Sequence, residues 1–365
     1  MTEPEPLERM DRTHVRYRNR KLLYFSGCDY FRLASHPAVL KAARNSVRKF
    51  GLNVAASRLT TGNHELYQKL EQQLARFFDA EAALLLPNGY LAASAVAQAL
   101  AGTFSHALVD EKAHPALLDA AQWLDCPILK YQHCDANHFD RTIARCGRSA
   151  RPIVLTDGLF PHDGSIAPLK ALLKRLPRDG QLIVDDAHGA GVLGQTGKGT
   201  LELEGVPRSR VVQCITLSKA FGVYGGAVLG SRGLREKIIG RSRLFAGSTP
   251  LPLPMAGAAL KAVEILKTDK RLRERLERNT RYVKSALQSA GWIQPETPAP
   301  IVSLVLNDGL ETARLKRRLL DSGIYPPFIN YPGGPPQGFF RFVLSSEHSR
   351  EQLDRLLKAL RPSRT

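Results

Sequence analysis

From Leu182 to Gly189 the chain reads Leu-Ile-Val-Asp-Asp-Ala-His-Gly, an apolar run of strand character that ends in two acids and a histidine. In a parallel sheet such a terminus lies at the carboxyl edge, where ligands bind. Asp185, Asp186 and His188 could hold a metal ion, but the rest of the sequence offers no cluster spaced as a further ligand set. The alternative is that Asp185 pairs with a cationic nitrogen of an organic cofactor. An anion there keeps a pyridine nitrogen protonated and makes its ring an electron sink.

A second apolar run ends in Thr216-Leu217-Ser218-Lys219, followed by Ala220-Phe221-Gly222. A lysine beside hydroxyl residues suits an imine-forming amine near a phosphate, because Nζ must lose a proton before it can act as a nucleophile. Taken alone, Lys219 would read as a surface charge. Its place one strand after Asp185-x-x-His188 reverses that reading. Leu86-Pro87-Asn88-Gly89-Tyr90 joins a strand to a helix, and a glycine there exposes backbone N–H groups to an anion. His114, which follows the strand at 106–109, would by itself read as a polar loop residue.

These residues need a scaffold. Short apolar runs at 82–86, 106–109, 128–131, 153–156, 182–184 and 211–217 read as buried strands, with one more at 227–229. Helix-period segments at 91–100, 116–123 and 166–176 lie between several of them. Such alternation predicts a largely parallel sheet covered on both faces. Three prolines in 250–254 mark a connector. Beyond it the pattern predicts a long helical stretch at 255–290, strands at 301–306 and 339–344, and helices at 312–322 and 350–360. A turn-rich loop occupies 331–336. The expected organisation is an N-terminal segment (1–40), a large domain (41–250) and a small α+β domain (251–365).

At 365 residues the chain is long enough for more than one core. The five cysteines, Cys28, Cys126, Cys134, Cys146 and Cys214, are scattered and read as reduced thiols. The charge-rich N-terminus has no apolar core for a secretory signal, and no apolar run is long enough for a membrane span. A cytoplasmic protein is expected. The net charge of +18 reads as a solvated basic surface. Acidic partners such as coenzyme A or an acyl carrier protein, and nucleic acid, are the alternatives. No aromatic-interleaved basic motif supports the last of these.

In this order the motifs resemble the α-oxoamine synthase family of fold-type-I pyridoxal-5′-phosphate (PLP) enzymes, over about residues 25–360. Ser57-Arg58-Leu59, Asp163-Gly164, Ala167-Pro168-Leu169, Ser248-Thr249 and the run Asp185–Gly194 carry the likeness beside the residues above. The resemblance implies a mostly parallel seven-stranded sheet between helices, with a smaller α+β C-terminal domain. It implies that Lys219 holds PLP as a Schiff base, that His114 stacks on the ring, that Asp185 pairs with the pyridine nitrogen and that His188 hydrogen-bonds the ring oxygen. Gly89, Tyr90, Thr216 and Ser218 would contact the phosphate, as would Thr249 of a neighbouring subunit, so a homodimer is implied. The implied reaction condenses a small amino acid with an acyl-CoA or acyl-carrier-protein thioester and releases carbon dioxide.

The chain departs from the family pattern mainly where substrate would bind. Cys28 stands where an Asn is usual, 53–56 replaces a glycine-rich run, and Pro161 replaces a serine. Asn330 aligns with the arginine expected to clamp the amino-acid carboxylate, so Arg341 on the following strand is the alternative clamp. These changes leave open an aminotransferase or a divergent acyltransferase of secondary metabolism. More remotely they leave open a basic nucleic-acid-binding regulator on the same fold, for which no helix-turn-helix segment is present.

Overall fold

The computed structural model describes residues 5–306, 308–330 and 334–361. Residues 331–333 of the turn-rich loop lie outside them. The described residues fall into two compact units. The larger is His36–Phe160 with Ile166–Lys270; the smaller takes the described residues of 1–35, 161–165 and 271–365.

The smaller unit begins with a three-stranded antiparallel sheet, β1 (Glu8–Arg9), β2 (His14–Tyr17) and β3 (Arg20–Leu23). Arg18 and Asn19 join β2 to β3, and both have positive φ, +47° and +59°. A two-residue turn of that hand matches the twist of the flanking strands.

The larger unit is built on seven strands: β4 (Ala82–Leu86), β5 (His106–Asp110), β6 (Ile128–Tyr131), β7 (Pro152–Asp157), β8 (Gln181–Asp185), β9 (Val211–Thr216) and β10 (Gly226–Gly230). Their order across the sheet is β4-β10-β9-β8-β7-β5-β6, and only β10 runs against its neighbours. This is the mostly parallel seven-stranded sheet between helices that the sequence predicts. Alternate residues of each strand enter different cores. Ala107, Val109, Ile153, Leu155 and Ile183 pack on one face, against helices Tyr90–Ala99 and Pro115–Gln122. Leu108, Val154, Leu182 and Val184 pack on the other, against Ala136–Cys146 and Leu169–Arg175. With both faces covered, every residue of β7 and β9 is buried, which is why these strands read as apolar runs in the sequence.

The expected helix at 255–290 is two helices, Leu253–Thr268 and Lys270–Ser289. Asp269 separates them with a non-helical ψ of 86°. Aspartate favours such ends because its short polar side chain competes for the backbone. The break lies one residue from the boundary between the units. The helix predicted at 166–176 begins only at Leu169, because Ile166 is first paired with Leu159 and Pro168 occupies the N-cap.

The smaller unit is completed by β11 (Ile301–Leu304), β12 (Phe328–Ile329) and β13 (Phe339–Val343) in the antiparallel order β11-β13-β12. Its core gathers Phe25, Val283, Leu287, Val302, Leu319, Phe340 and Phe342. The excursion Pro161–Ser165 belongs to this unit. Thr297 Oγ1 donates to Gly164 O at 2.7 Å, and Ser303 Oγ donates to His162 O.

His348 is buried in the same unit with its ring 4.2 Å from that of Phe25. Its Nδ1 accepts the Ser345 N–H at 3.1 Å and its Nε2 lies 3.2 Å from Tyr24 O. Burial, then Arg32, push its pKa down to about 3. The folded state therefore favours the neutral ring, and that stability is present above the ordinary histidine pKa and is lost as pH falls toward 3. Between pH 7 and pH 5 the ring should cost wild type roughly 1–2 kcal/mol. His348→Asn should be the less stable protein at pH 7, with the gap narrowing by that amount at pH 5. Urea unfolding midpoints at both pH values test this, and a constant gap would refute it.

Candidate active site

Strand register decides which side chains meet at the carboxyl edge of the larger unit. Asp157, the last residue of β7, lies opposite Asp185, the last of β8, and Asp185 lies opposite Cys214 on β9. Two residues on, Thr216 ends β9 opposite Gly226 of β10, which in turn faces Leu86 at the end of β4. The chemistry-bearing residues of three separate sequence segments thus share one edge.

His114 caps the helix Pro115–Gln122, with its Nδ1 accepting the Ala116 N–H at 3.2 Å. In the neutral ring this places the proton on Nε2. The His114 backbone N–H donates to Asp157 Oδ2 at 2.8 Å. Burial lowers the pKa of the ring, Asp185 opposes that shift and Lys219 adds to it. The imidazole therefore senses both the acid and the amine. Tyr90 is exposed, its ring edge-on to His114 with centroids 6.1 Å apart, and its hydroxyl donates to the Asp119 carboxylate.

Asp157 was not among the candidates from sequence. Burial and then the charge of Asp185 push its pKa well up, while the His114 N–H and Lys219 oppose them. Side by side, the two carboxyls do not share one role: the protonated form is favoured on Asp157. The only sequence signal was an apolar run ending in an acid on the strand before that of Asp185.

Asp185 and Asp186 also divide. Asp185 Oδ1 accepts the Ala187 N–H at 3.0 Å. Asp186 is fully buried and accepts from Thr200 Oγ1 at 2.6 Å, Thr200 N–H at 2.9 Å and Gln213 Nε2 at 2.6 Å. Burial pushes its pKa up to about 6 despite those donors. A Cβ at Gly189 or Gly199 would come within 2.1 Å or 1.9 Å of its oxygens, so glycine is required at both. Asp186 thus ties down the turn that carries buried His188, and its oxygens are spent on that task.

Lys219 is half-buried and Ser218 is exposed, just past the end of β9. Thr216 Oγ1 accepts the Ser218 N–H and donates to Gly225 O, both at 3.2 Å. A Cβ on Gly89 would sit 2.6 Å from Thr216 Cβ, so only glycine lets the helix start Tyr90–Ala99 approach this threonine. Thr249 is exposed in the proline-rich connector of the same unit. Asn330 and Arg341 belong to the smaller unit. Asn330 is exposed, whereas Arg341 on β13 has a buried Nε without a hydrogen-bond partner among the described residues. There the hydroxyl of buried Tyr30 is raised by burial first and by Cys28 next, and Arg341 opposes this, so all three influence one another.

The family model for aminotransferase class I and II matches residues 21–360. The chain is 37% identical over 345 residues to 8-amino-7-oxononanoate synthase of Thioalkalivibrio sulfidiphilus, covering 93% of this chain and 88% of the relative. It is 38% identical over 344 residues to the enzyme of that name from Methylococcus capsulatus, covering 92% and 87%. Among solved structures, serine palmitoyltransferase of S. paucimobilis with a bound PLP–myriocin aldimine superposes with a TM-score of 0.92 at 25% identity, covering 99% of this chain and 92% of that one. The 8-amino-7-oxononanoate synthase of Francisella tularensis gives 0.80 at 25% identity, covering 93% and 96%.

The opposing influences on His114 have opposite expected signs when removed. Asp185→Asn should lower the pKa of the His114 ring and Lys219→Ala should raise it, as followed by NMR titration of the imidazole. Equal shifts in one direction would disprove the shared electrostatics.

Proposed function

The chain belongs to the aminotransferase class I and II family, within the α-oxoamine synthases, and from that premise we propose that it is a PLP-dependent C-acyltransferase. The reaction condenses a small amino acid with an acyl thioester and releases carbon dioxide, most like the 8-amino-7-oxononanoate synthase step of biotin synthesis, with alanine and a pimeloyl thioester. The observation that carries the reading is the gathering at one sheet edge of Asp157 and Asp185 in register, His114 bonded to Asp157, and Lys219 just past the end of β9, with Asp185 and Lys219 both acting on His114 and Asp157.

The residues fit the cofactor. Gly89 is required for steric reasons where a helix start meets Thr216, and a phosphate is well matched to such a helix start. Gly89, Tyr90, Thr216 and Ser218 would hold the phosphate, Lys219 would hold the cofactor covalently through Nζ, and His114 would lie on the ring face. Asp185 would pair with the ring nitrogen and His188 with the ring oxygen. When bound, PLP supplies an electron sink for the pair left on the substrate α-carbon.

The remaining work falls to this chain's side chains. Asp185 would keep a proton on the ring nitrogen of the bound cofactor, since an adjacent anion favours the cation. Asp157 fixes the His114 backbone at 2.8 Å and so sets the height of the imidazole. Lys219 Nζ, once free as an amine, would be the base that takes the substrate α-proton. Arg341, with its buried unsatisfied Nε, is the carboxylate clamp in place of Asn330. Thr249 would serve the neighbouring subunit of a cytoplasmic homodimer.

Wild-type protein with PLP should show the absorbance of the lysine-bound cofactor and release carbon dioxide from alanine and a pimeloyl thioester. Lys219→Ala should lose that band and about a thousandfold or more of the rate. Amine exchange onto keto acids without carbon dioxide release would sink the acyltransferase reading in favour of an aminotransferase. In steady-state kinetics Arg341→Ala should raise KM for the amino acid roughly ten- to a hundredfold, as expected for losing a charge-assisted pair. Asn330→Ala should leave it within about a factor of two; the reverse ranking would move the clamp to Asn330.

A further inference from the structure

We propose, on the reading that Thr249 contacts the PLP phosphate of the neighbouring subunit, that Ser57, Arg58 and Tyr67 are positioning residues that hold this threonine in place. All four residues belong to the larger unit. Thr249 is exposed, between the short helix Arg243–Gly247 and the helix Leu253–Thr268. Residues 248–252 carry neither strand nor helix. Their path must therefore be fixed by side chains from elsewhere in the fold.

Two hydroxyls pin this connector, one on either side of Thr249. Ser57 Oγ donates to Ala246 O at 2.6 Å, and the Tyr67 hydroxyl donates to Leu251 O at 2.6 Å. The first bond serves a carbonyl in the last turn of a helix, where no intrahelical donor is available. The second is fully buried, and so are the side chains of Tyr67 and Leu251. Leu251 in turn packs on Gly225, where an added Cβ would meet its side chain at 3.1 Å. The Gly225 carbonyl is the one that accepts from Thr216 Oγ1. The connector is thus tied at Ala246 and at Leu251, with Thr249 left between the ties.

Arg58 joins the two ties. Its guanidinium carbon stands 5.3 Å from the Tyr67 ring centroid and 5.6 Å from that of Phe245, the residue before Ala246. It is paired with both carboxylate oxygens of Glu71, and each of the two side chains is 6% exposed. Tyr67 and Glu71 lie one turn apart on the helix Glu65–Phe77 and so share a face. Glu71 also accepts the Leu85 N–H of β4 at 3.0 Å and the Arg235 guanidinium at 3.3 Å. A desolvated pair with these further donors holds one geometry, because breaking it would strand a buried charge. The anchor runs from β4, at the edge of the sheet, through Glu71 and Arg58 to both sides of Thr249.

The test titrates the full-length chain, freed of cofactor, with PLP and reads Kd from the absorbance of the lysine-bound cofactor. Thr249→Ala should weaken PLP binding about tenfold, as expected for one hydrogen bond to a charged group. Tyr67→Phe and Ser57→Ala should each weaken it roughly three- to tenfold. In the Thr249→Ala background the same two changes should have no further effect, because they act through this threonine. Thermal melts establish that the variants fold, and Ser57→Ala, at a partly exposed position, keeps the test open should Tyr67→Phe be unstable. Equal losses in both backgrounds would overturn the positioning role, as would unchanged affinity in Tyr67→Phe and Ser57→Ala while Thr249→Ala binds weakly. Unchanged affinity in Thr249→Ala would instead overturn the phosphate contact of Thr249, and the positioning role with it. Lys219 is tested separately by its absorbance band.

Discussion

Two carboxyls in register at the ends of β7 and β8 set the terms for everything around them. Strand pairing places buried Asp157 directly beside half-buried Asp185, and a second negative charge beside the first is costly in such a setting. The structure answers by separating their duties. Asp157 is buried deeply enough for its neutral form to be favoured and accepts the His114 backbone N–H. Asp185 remains the charge felt by His114, Asp157 and Asp186. Two different environments for two adjacent carboxyls follow from one register.

Beneath this pair lies a second constraint. Asp186 points into a glycine-lined space closed by Gly158, Gly189 and Gly199 and is bonded to Thr200 and Gln213. It binds the end of β8 to the loop at 199–200 and to β9, so Asp185 and His188 are presented from a turn that cannot easily shift. Adjacent acids in sequence thus carry an electrostatic role and a mechanical one, a division that local sequence did not reveal.

Much of the fold was legible because its strands are buried on both sides. Runs such as 153–156 and 211–217 are mostly apolar for that reason, and the residues that end them lie at the carboxyl edge. Lys219, Asp185 and His188 could be found there by type and spacing. Asp157 escaped notice because an acid closing an apolar run has no signature until its neighbour across the sheet is known. The hairpin of β2 and β3 was missed because its turn, Arg18-Asn19, lacks the glycine that usually marks positive φ. The split at Asp269 was hidden by helix-period apolar residues continuing on both sides of it.

The departures from the family pattern follow the division into units. Cys28, Pro161 and Asn330 all belong to the smaller unit, even though Pro161 comes from a five-residue excursion out of the larger one. The residues proposed to hold the cofactor, from Gly89 to Thr249, all belong to the larger. Pro161 travels with the smaller unit for a physical reason: the carbonyls after it are bound by Thr297 and Ser303. A substitution at such a position adjusts to the packing of the smaller unit and leaves the register of β7 and β8 undisturbed. Cys28 and Arg341 likewise act on Tyr30 inside that unit. Of these departures, the 53–56 run is the one within the larger unit. The carboxyl edge of the sheet is held by strand pairing that the three substitutions at Cys28, Pro161 and Asn330 do not touch, and they fall in a unit with its own core.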